Sequence, residues 1–297
     1  MTEQFPVVTV KPEWVSSPEE MGSKSKFWFQ RMDQGHSEWL FKFPQANTGQ
    51  HWSEKIAAEV ADSLQVRHAH VELAEFEQAQ GSITKSFVLE DMSLHHGNQL
   101  LEMHLSGYHD AEGFRQSSHT LGRIWEVLGE IFQEAGAIHK AKVEFASYLV
   151  LDAVIGNTDR HHENWGVLRR LDEDGPQLEL APSFDHASSL GRELLDDRRC
   201  RHLTDSTVGH YSRRGRGAVY WSERDSRGPS PVELVKRGAE SYPDLFLPGL
   251  LGVDALPADR LRTIVNRIPG PWMSAPARSF AIELMGYNIR QLEELVR

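Results

Sequence analysis

Residues 157–164 read NTDRHHEN, directly after the almost wholly apolar run at 142–156. Asn157, Asp159, His161 and Asn164 fall in that stretch, and Asp185 ends another run at 176–185. A carboxylate beside an amide oxygen makes a hard-oxygen site. Mg2+ favours such a site and completes its shell with water and phosphate oxygens. Asn164 precedes one strand-like run and Asp185 ends the next, so a hairpin between them makes the two neighbours. Asp159 lies five residues before Asn164 and can face the same space. There it can orient an attacking hydroxyl or accept its proton. Lys42, on a distant aromatic run, can neutralise phosphate charge, and Glu54, on the helix that follows, can hold Lys42 by an ion pair. Metal-holding Asn and Asp, a phosphate lysine and an aspartate at the nucleophile are the parts that phosphoryl transfer requires.

Each of these residues also has a plainer reading. Asn157 and Asp159 can cap a turn, and Lys42 can be a solvated residue of a half-exposed face. His161 reads more as a brace of the loop than as a proton-transfer group. His162 is expected to be exposed and incidental. The histidines do not suggest zinc, because neighbouring histidines do not form H-E-x-x-H and there is no cysteine pair.

The elements that must position these residues change along the chain. The first ninety residues read mostly as strand. The runs 26–30 and 38–44 flank a polar, Gly-containing stretch and form a hairpin signal. Trp39, Phe41 and Phe43 alternate with Leu40 and Lys42, which puts Lys42 on the face with Leu40. Residues 53–64 follow as a helix, with Ile56, Val60 and Leu64 on one face, then strand-like runs at 68–76 and 82–90. From about residue 112 the pattern turns helical. It predicts helices over 114–135 and 142–156, a hairpin over 165–171 and 176–185, and a closing helix over 277–296. Residues 205–230, rich in Ser, Gly and Arg, read as a long loop. The coarse order is a β-rich lobe with one helix, then an α-rich lobe holding one hairpin.

Composition limits the alternatives. The chain has 297 residues, 39% hydrophobic, and one cysteine, Cys200, so no internal disulfide forms and a reducing, cytoplasmic setting is expected. The N-terminus has no signal-peptide pattern and no run approaches a membrane span. A net charge of −11 argues against whole-chain affinity for nucleic acid or anionic lipid. Residues 192–227 run against that balance with nine arginines, read either as a solvated loop or as a segment that attracts acidic partners.

GNTDRHHEN followed by LAPSFDHASSL resembles the HipA-like kinases, bacterial serine/threonine kinases of toxin–antitoxin systems. The family pattern N-x-D-x-H-x-x-N is filled by Asn157, Asp159, His161 and Asn164. The family's second metal aspartate matches Asp185. LFKFP resembles the strand carrying the ATP lysine, which is Lys42, and EKIAAEVADSL resembles the helix with the paired Glu54. The resemblance implies an α+β, bilobal protein-kinase-like fold, with a β-rich N-lobe over 1–91 and an α-helical C-lobe over 92–297. It implies ATP and Mg2+ as cofactors, with Asp159, Asn157 and His161 in the catalytic set and Asn164 and Asp185 on the metal. Gly22, Ser23 and Lys24 would cover the phosphates. The segment from Leu89 to Met92, with Glu90, would join the lobes and meet the adenine. The implied acceptor is a serine or threonine of a protein; some relatives act on aminoacyl-tRNA synthetases. An antitoxin or small accessory protein is the expected partner, with no direct DNA contact and no membrane.

The chain departs from the family in three ways. About twenty residues precede the first loop, so it resembles a short form without the N-terminal subdomain. Glu19 stands where the family has a regulatory serine. The phosphate loop has one glycine, Gly22. The DRHxxN element is shared with phosphoinositide kinases, so a lipid kinase is one rival reading. A catalytically idle nucleotide-binding module and a nucleotidyl transferase are the others.

Overall fold

The computed structural model describes every residue except 1–2, 19–25, 36, 110–115, 174, 258 and 297. Strands β1 (Val7–Val10), β2 (Val15–Pro18), β3 (Lys26–Arg31), β4 (Ser37–Lys42), β5 (Val71–Phe76) and β6 (Ala79–Lys85) form one sheet in the order β1-β5-β6-β4-β3-β2. The β1–β5 pair is parallel and the other pairs are antiparallel. The β3–β4 hairpin aligns Phe27 with Phe41 and Phe29 with Trp39. All four of those side chains are buried, and the Phe27 and Phe41 rings stack with centroids 5.1 Å apart. Side chains alternate faces along a strand. The aromatic burial therefore sends Lys42, the last residue of β4, to the opposite face.

Helix α1 (Gln50–Ser63) packs across β5 and β6. Its Ile56, Ala57, Val60 and Ala61 are fully buried. It begins three residues before the expected start, at Gln50 rather than Ser53. A second sheet holds β7 (Met92–His96), β8 (Gly166–Asp172) and β9 (Gly175–Leu180) in that order, all antiparallel. The expected hairpin is β8–β9, but β9 stops at Leu180 rather than running to Asp185. Ala181 still donates to Gly166 O at 2.9 Å, and the next residue, Pro182, has no N–H to continue the ladder.

The remaining elements are helical: α2 (Gly97–His104), α3 (Leu121–Ile131), α4 (Ala135–Ile155), α5 (Asp196–Thr204), α6 (Val208–Arg214), α7 (Pro231–Ser241), α8 (Pro243–Asp254), α9 (Arg260–Asn266) and α10 (Ala275–Glu293). The expected helix 114–135 starts at Leu121, where the Thr120 hydroxyl caps it by accepting the Arg123 N–H. The expected helix 142–156 starts at Ala135, because its first turns are half-exposed and lack the all-apolar signature of the later ones. Segment 205–230 is not one loop, since α6 lies within it.

Helix α4 is the axis of the helical lobe and packs against α3, α7, α8 and α10. From Tyr148 to Ile155 every residue is buried. Each large aliphatic side chain buried there contributes roughly 1.5–3 kcal/mol. That force also carries one carboxylate, Asp152, into the interior. No helix among the described residues is long and apolar enough to cross a membrane.

Candidate active site

Helix α4 ends at Gly156, which adopts φ +67°. A left-handed residue at this point reverses the chain out of the helix, and glycine takes that conformation without strain. The polar loop starts immediately after it. Its anchor is Asp152, one turn back in the helix. The Arg160 guanidinium donates to both Asp152 oxygens, each at 2.8 Å, and Asn157 Nδ2 donates to Asp152 Oδ1 at 2.7 Å. Arg160 also donates to Asn164 O at 2.8 Å and to Ser183 Oγ at 2.9 Å. One buried guanidinium thus fastens both ends of the loop and the segment before Asp185.

Asp159 is held from three directions. Its backbone N–H donates to Asn157 Oδ1 at 3.1 Å, its carbonyl accepts from Asn164 Nδ2 at 2.7 Å, and its Oδ2 accepts from Ser188 Oγ at 3.0 Å. Arg192 Nη2 donates in turn to Ser188 Oγ at 3.1 Å. Asn157 is therefore buried bracing, while Asp159 keeps a half-buried carboxylate at the surface of the loop.

Asp185 lies where the second hairpin strand was expected to end, at φ +56°. That backbone state is uncommon for a residue with a side chain, and such states concentrate at functional sites. Lys42 Nζ meets Asp185 Oδ1 at 3.3 Å, so the lysine strand of the first sheet reaches the segment after the β8–β9 hairpin. Burial pushes the Lys42 pKa down, but the charges of Asp185 and Glu54 outweigh it and leave the ammonium held above its ordinary value.

The expected Lys42–Glu54 ion pair takes a different form. Among the described residues the ion pair of Lys42 is with Asp185. The buried Glu54 accepts the His186 backbone N–H on Oε1 at 2.9 Å and so fixes the residue after Asp185. Glu59, the other glutamate of that helix, pairs instead with Lys55 at 2.8 Å. The Ser53 and Ser189 hydroxyls, 2.8 Å apart, add a second tie between α1 and this segment. His186 Nε2 and Ser183 Oγ are 2.7 Å apart, and burial drives the His186 pKa well below its usual value, so the ring is neutral.

His161 is half-buried. Burial lowers its pKa, and Asp159, Glu163 and Asp185 oppose that shift. Two site carboxylates therefore act on this one ring. Its Nδ1 accepts the Glu163 N–H at 3.3 Å, which suits a brace. His162 corrects the expectation of an exposed, incidental residue: it is 2% exposed, with Tyr108 Oη 2.7 Å and Gln116 Nε2 3.0 Å from Nδ1. Consecutive residues of a turning loop face opposite ways, and His162 faces the core.

Glu90 is exposed, in the turn between β6 and β7. Nearby Phe87 packs on Phe184 at 5.5 Å, which sets this crossing against the residue preceding Asp185. Gly22, Ser23, Lys24 and Glu19 lie outside the described residues. The residues missed in the sequence are Asp152, Arg160, Ser183, His186 and Ser188. Asp152 carried a signal, since a carboxylate within the otherwise apolar run 148–155 requires a buried partner.

The donor set suits Mg2+. Asn164 has its Nδ2 committed to Asp159 O, which leaves the amide oxygen for a cation, and Asp185 supplies a carboxylate. Among the described residues no three His, Cys, Asp or Glu side chains form a protein-built metal cage. Mg2+ bound together with a nucleotide needs one or two carboxylates, the rest being phosphate and water.

The profile of the HipA-like C-terminal domain family matches residues 20–233. No curated protein matches the chain by sequence. Among solved structures, the Helicobacter pylori proinflammatory kinase CtkA superposes with a TM-score of 0.75 at 18% identity, covering 97% of this chain and 98% of that one. HipA of the Shewanella oneidensis MR-1 toxin–antitoxin system, solved with HipB and operator DNA, superposes with a TM-score of 0.58 at 12% identity, covering 95% of this chain and 66% of that one. The fold is the bilobal, kinase-like α+β arrangement.

Proposed function

The chain belongs to the HipA-like C-terminal domain family, and from that premise we propose that it is an ATP- and Mg2+-dependent protein kinase. The observation that carries the reading is the 3.3 Å ion pair of Lys42 with Asp185, beside an Asp159 whose backbone is fixed by Asn157 and Asn164. We place the lobe boundary at 91/92, with nucleotide between the lobes. Lys42 binds the ATP phosphates, and Glu54 keeps the Asp185 segment in place. Asn164 and Asp185 hold Mg2+, which supplies charge neutralisation at the phosphates. Gly22, Ser23 and Lys24 cover the phosphates, and Leu89 to Met92, with Glu90, meets the adenine.

Asp159 orients the acceptor hydroxyl and takes its proton as the oxygen bonds to the γ-phosphorus. The bond from that phosphorus to the β–γ bridging oxygen breaks, and ADP leaves. His161 and Asn157 keep the loop in position, and preorganisation of this kind is the main protein contribution to such transfers. The proposed acceptor is a serine or threonine of a protein, an aminoacyl-tRNA synthetase among the candidates. A toxin role with an antitoxin or accessory partner follows by analogy with the Shewanella complex.

The test offers γ-labelled ATP and Mg2+ with two acceptors side by side, a protein lysate and phosphoinositide vesicles. Label on a lysate protein or on the chain itself supports the reading. Label confined to the vesicles overturns it in favour of a lipid kinase.

A further inference from the structure

A cavity of about 360 Å³ opens on the Asp159 side of the site. It shares Asp159 with the catalytic cluster, but Lys42, Asn164 and Asp185 do not line it. Its wall carries Arg192, Arg214 and Arg216, and its floor includes Val232 and Leu284. Three guanidiniums thus face two carboxylates, Asp159 and Glu193, in a chain whose net charge is −11. The local positive excess is therefore not a background property of the surface.

The arginines differ in their commitments. Arg192 is tied to Ser188, which holds Asp159. Arg213, outside the cavity wall, donates to Tyr287 Oη. Arg214 and Arg216 have no carboxylate partner among the described residues, and Arg216 Nη1 reaches its neighbour Gly215 O at 3.4 Å. Glu193 is occupied, since its carboxylate accepts the Tyr211 hydroxyl at 2.7 Å. Gly215, between the two uncommitted arginines, closes the end of α6 against the catalytic loop. A side chain there would meet Thr158 Cγ2 at 3.3 Å, and Thr158 is the residue before Asp159. The arginine turn is therefore packed on the loop that carries the proposed base.

We propose that this cavity is the acceptor site and that it selects a protein segment carrying an acidic side chain close to the hydroxyl that is phosphorylated. This rests on the kinase reading above. The acceptor hydroxyl lies at Asp159, and its neighbouring carboxylate meets Arg214 and Arg216. Guanidiniums bind carboxylates through paired, charge-assisted hydrogen bonds. A peptide is favoured over an anionic bilayer because the acidic chain as a whole is repelled by a negative surface.

The test uses a short peptide with one serine flanked by glutamates, and the same peptide with glutamines. Binding is read by fluorescence anisotropy and phosphate transfer by γ-labelled ATP with Mg2+. The wild type favours the glutamate peptide about tenfold in both readouts. Arg214→Gln/Arg216→Gln erases that ratio, and Arg214→Glu/Arg216→Glu turns it toward a lysine-flanked peptide. Taking the ratio within each variant removes any general loss of activity. Equal binding of both peptides by the wild type, or an unchanged ratio in the double variants, overturns the proposal. Tighter binding to phosphoinositide vesicles than to the glutamate peptide overturns it in favour of a lipid headgroup. Preferential peptide binding without transfer supports carboxylate recognition by Arg214 and Arg216, and overturns the kinase reading together with the acceptor role that rests on it.

Discussion

Arg160 and Asp152 form a bidentate ion pair with both contacts at 2.8 Å and both side chains 3% exposed. The pair joins the last turns of the central helix to the loop that carries the proposed base. Removing one member leaves the other as an uncompensated buried charge, at a cost of about 3–5 kcal/mol. Arg160→Ala is therefore expected to lower the urea midpoint by far more than Arg237→Ala. The latter breaks the exposed Arg237–Glu233 pair, for which about 0.3–0.5 kcal/mol is expected. Equal midpoints for the two variants would show that the loop does not depend on its buried anchor.

Lys42→Met removes the ammonium that meets Asp185 at 3.3 Å. Loss of a preorganised charge at a reacting phosphate lowers turnover about 10²–10³-fold. Phosphate transfer by the variant should fall by that much, and MgATP affinity measured by calorimetry should weaken with it. Wild-type turnover in the variant would place the phosphates elsewhere.

Ser188 donates to Asp159 and is held by Arg192, so it positions the base without touching the reacting atoms in this account. Ser188→Ala should lower kcat less than about tenfold, against about 10²–10⁴-fold for Asp159→Asn. The smaller loss should fall on kcat with the KM for MgATP unchanged, because the hydroxyl orients the Asp159 carboxylate and does not bind nucleotide. Unchanged kcat in the variant would leave Ser188 as packing alone.

Acid should destabilise the fold through its buried imidazoles. Burial holds His119 down to about 3 and His51 down to about 4, and pushes His186 well below its usual value. Between those values and the ordinary 6.5, the unfolded chain binds more protons than the native one, so stability rises with pH. It is complete above about pH 6.5 and is lost as pH falls toward 4 and 3. The Tm should drop from pH 7 to pH 5. His119→Gln should flatten part of that slope, since His119 lies in the core with Nδ1 on Ala218 O and Nε2 accepting from Trp165. A pH-independent Tm over this range would contradict the neutral assignment.

Much of the site was legible because its pieces are contiguous. The NTDRHHEN stretch brings its polar groups together without any knowledge of distant contacts. Lys42 was placed on its face by the local alternation of Trp39 and Phe41. What escaped depends on non-local partners. Strand β1 exists through parallel pairing with β5, and β7 through pairing with β8, so neither run carries a hairpin signal of its own. The end of β9 was overrun because the apolar run continues past Leu180 while Pro182 cannot extend the ladder. His162 was misplaced because its partners, Tyr108 and Gln116, lie more than forty residues away. Arg160 stands at an unspecified position of N-x-D-x-H-x-x-N, although Asp152 in the apolar helix requires such a partner.

The most direct measurement of the central claim is release and transfer of phosphate from ATP labelled at the γ position, run beside ATP labelled at the α position. Wild-type protein is compared with Asp159→Asn and Asp185→Asn in the presence of Mg2+. Covalent label is expected on protein from γ-labelled ATP alone, lost in both variants. Label from α-labelled ATP, or undiminished γ-label in the variants, would contradict it.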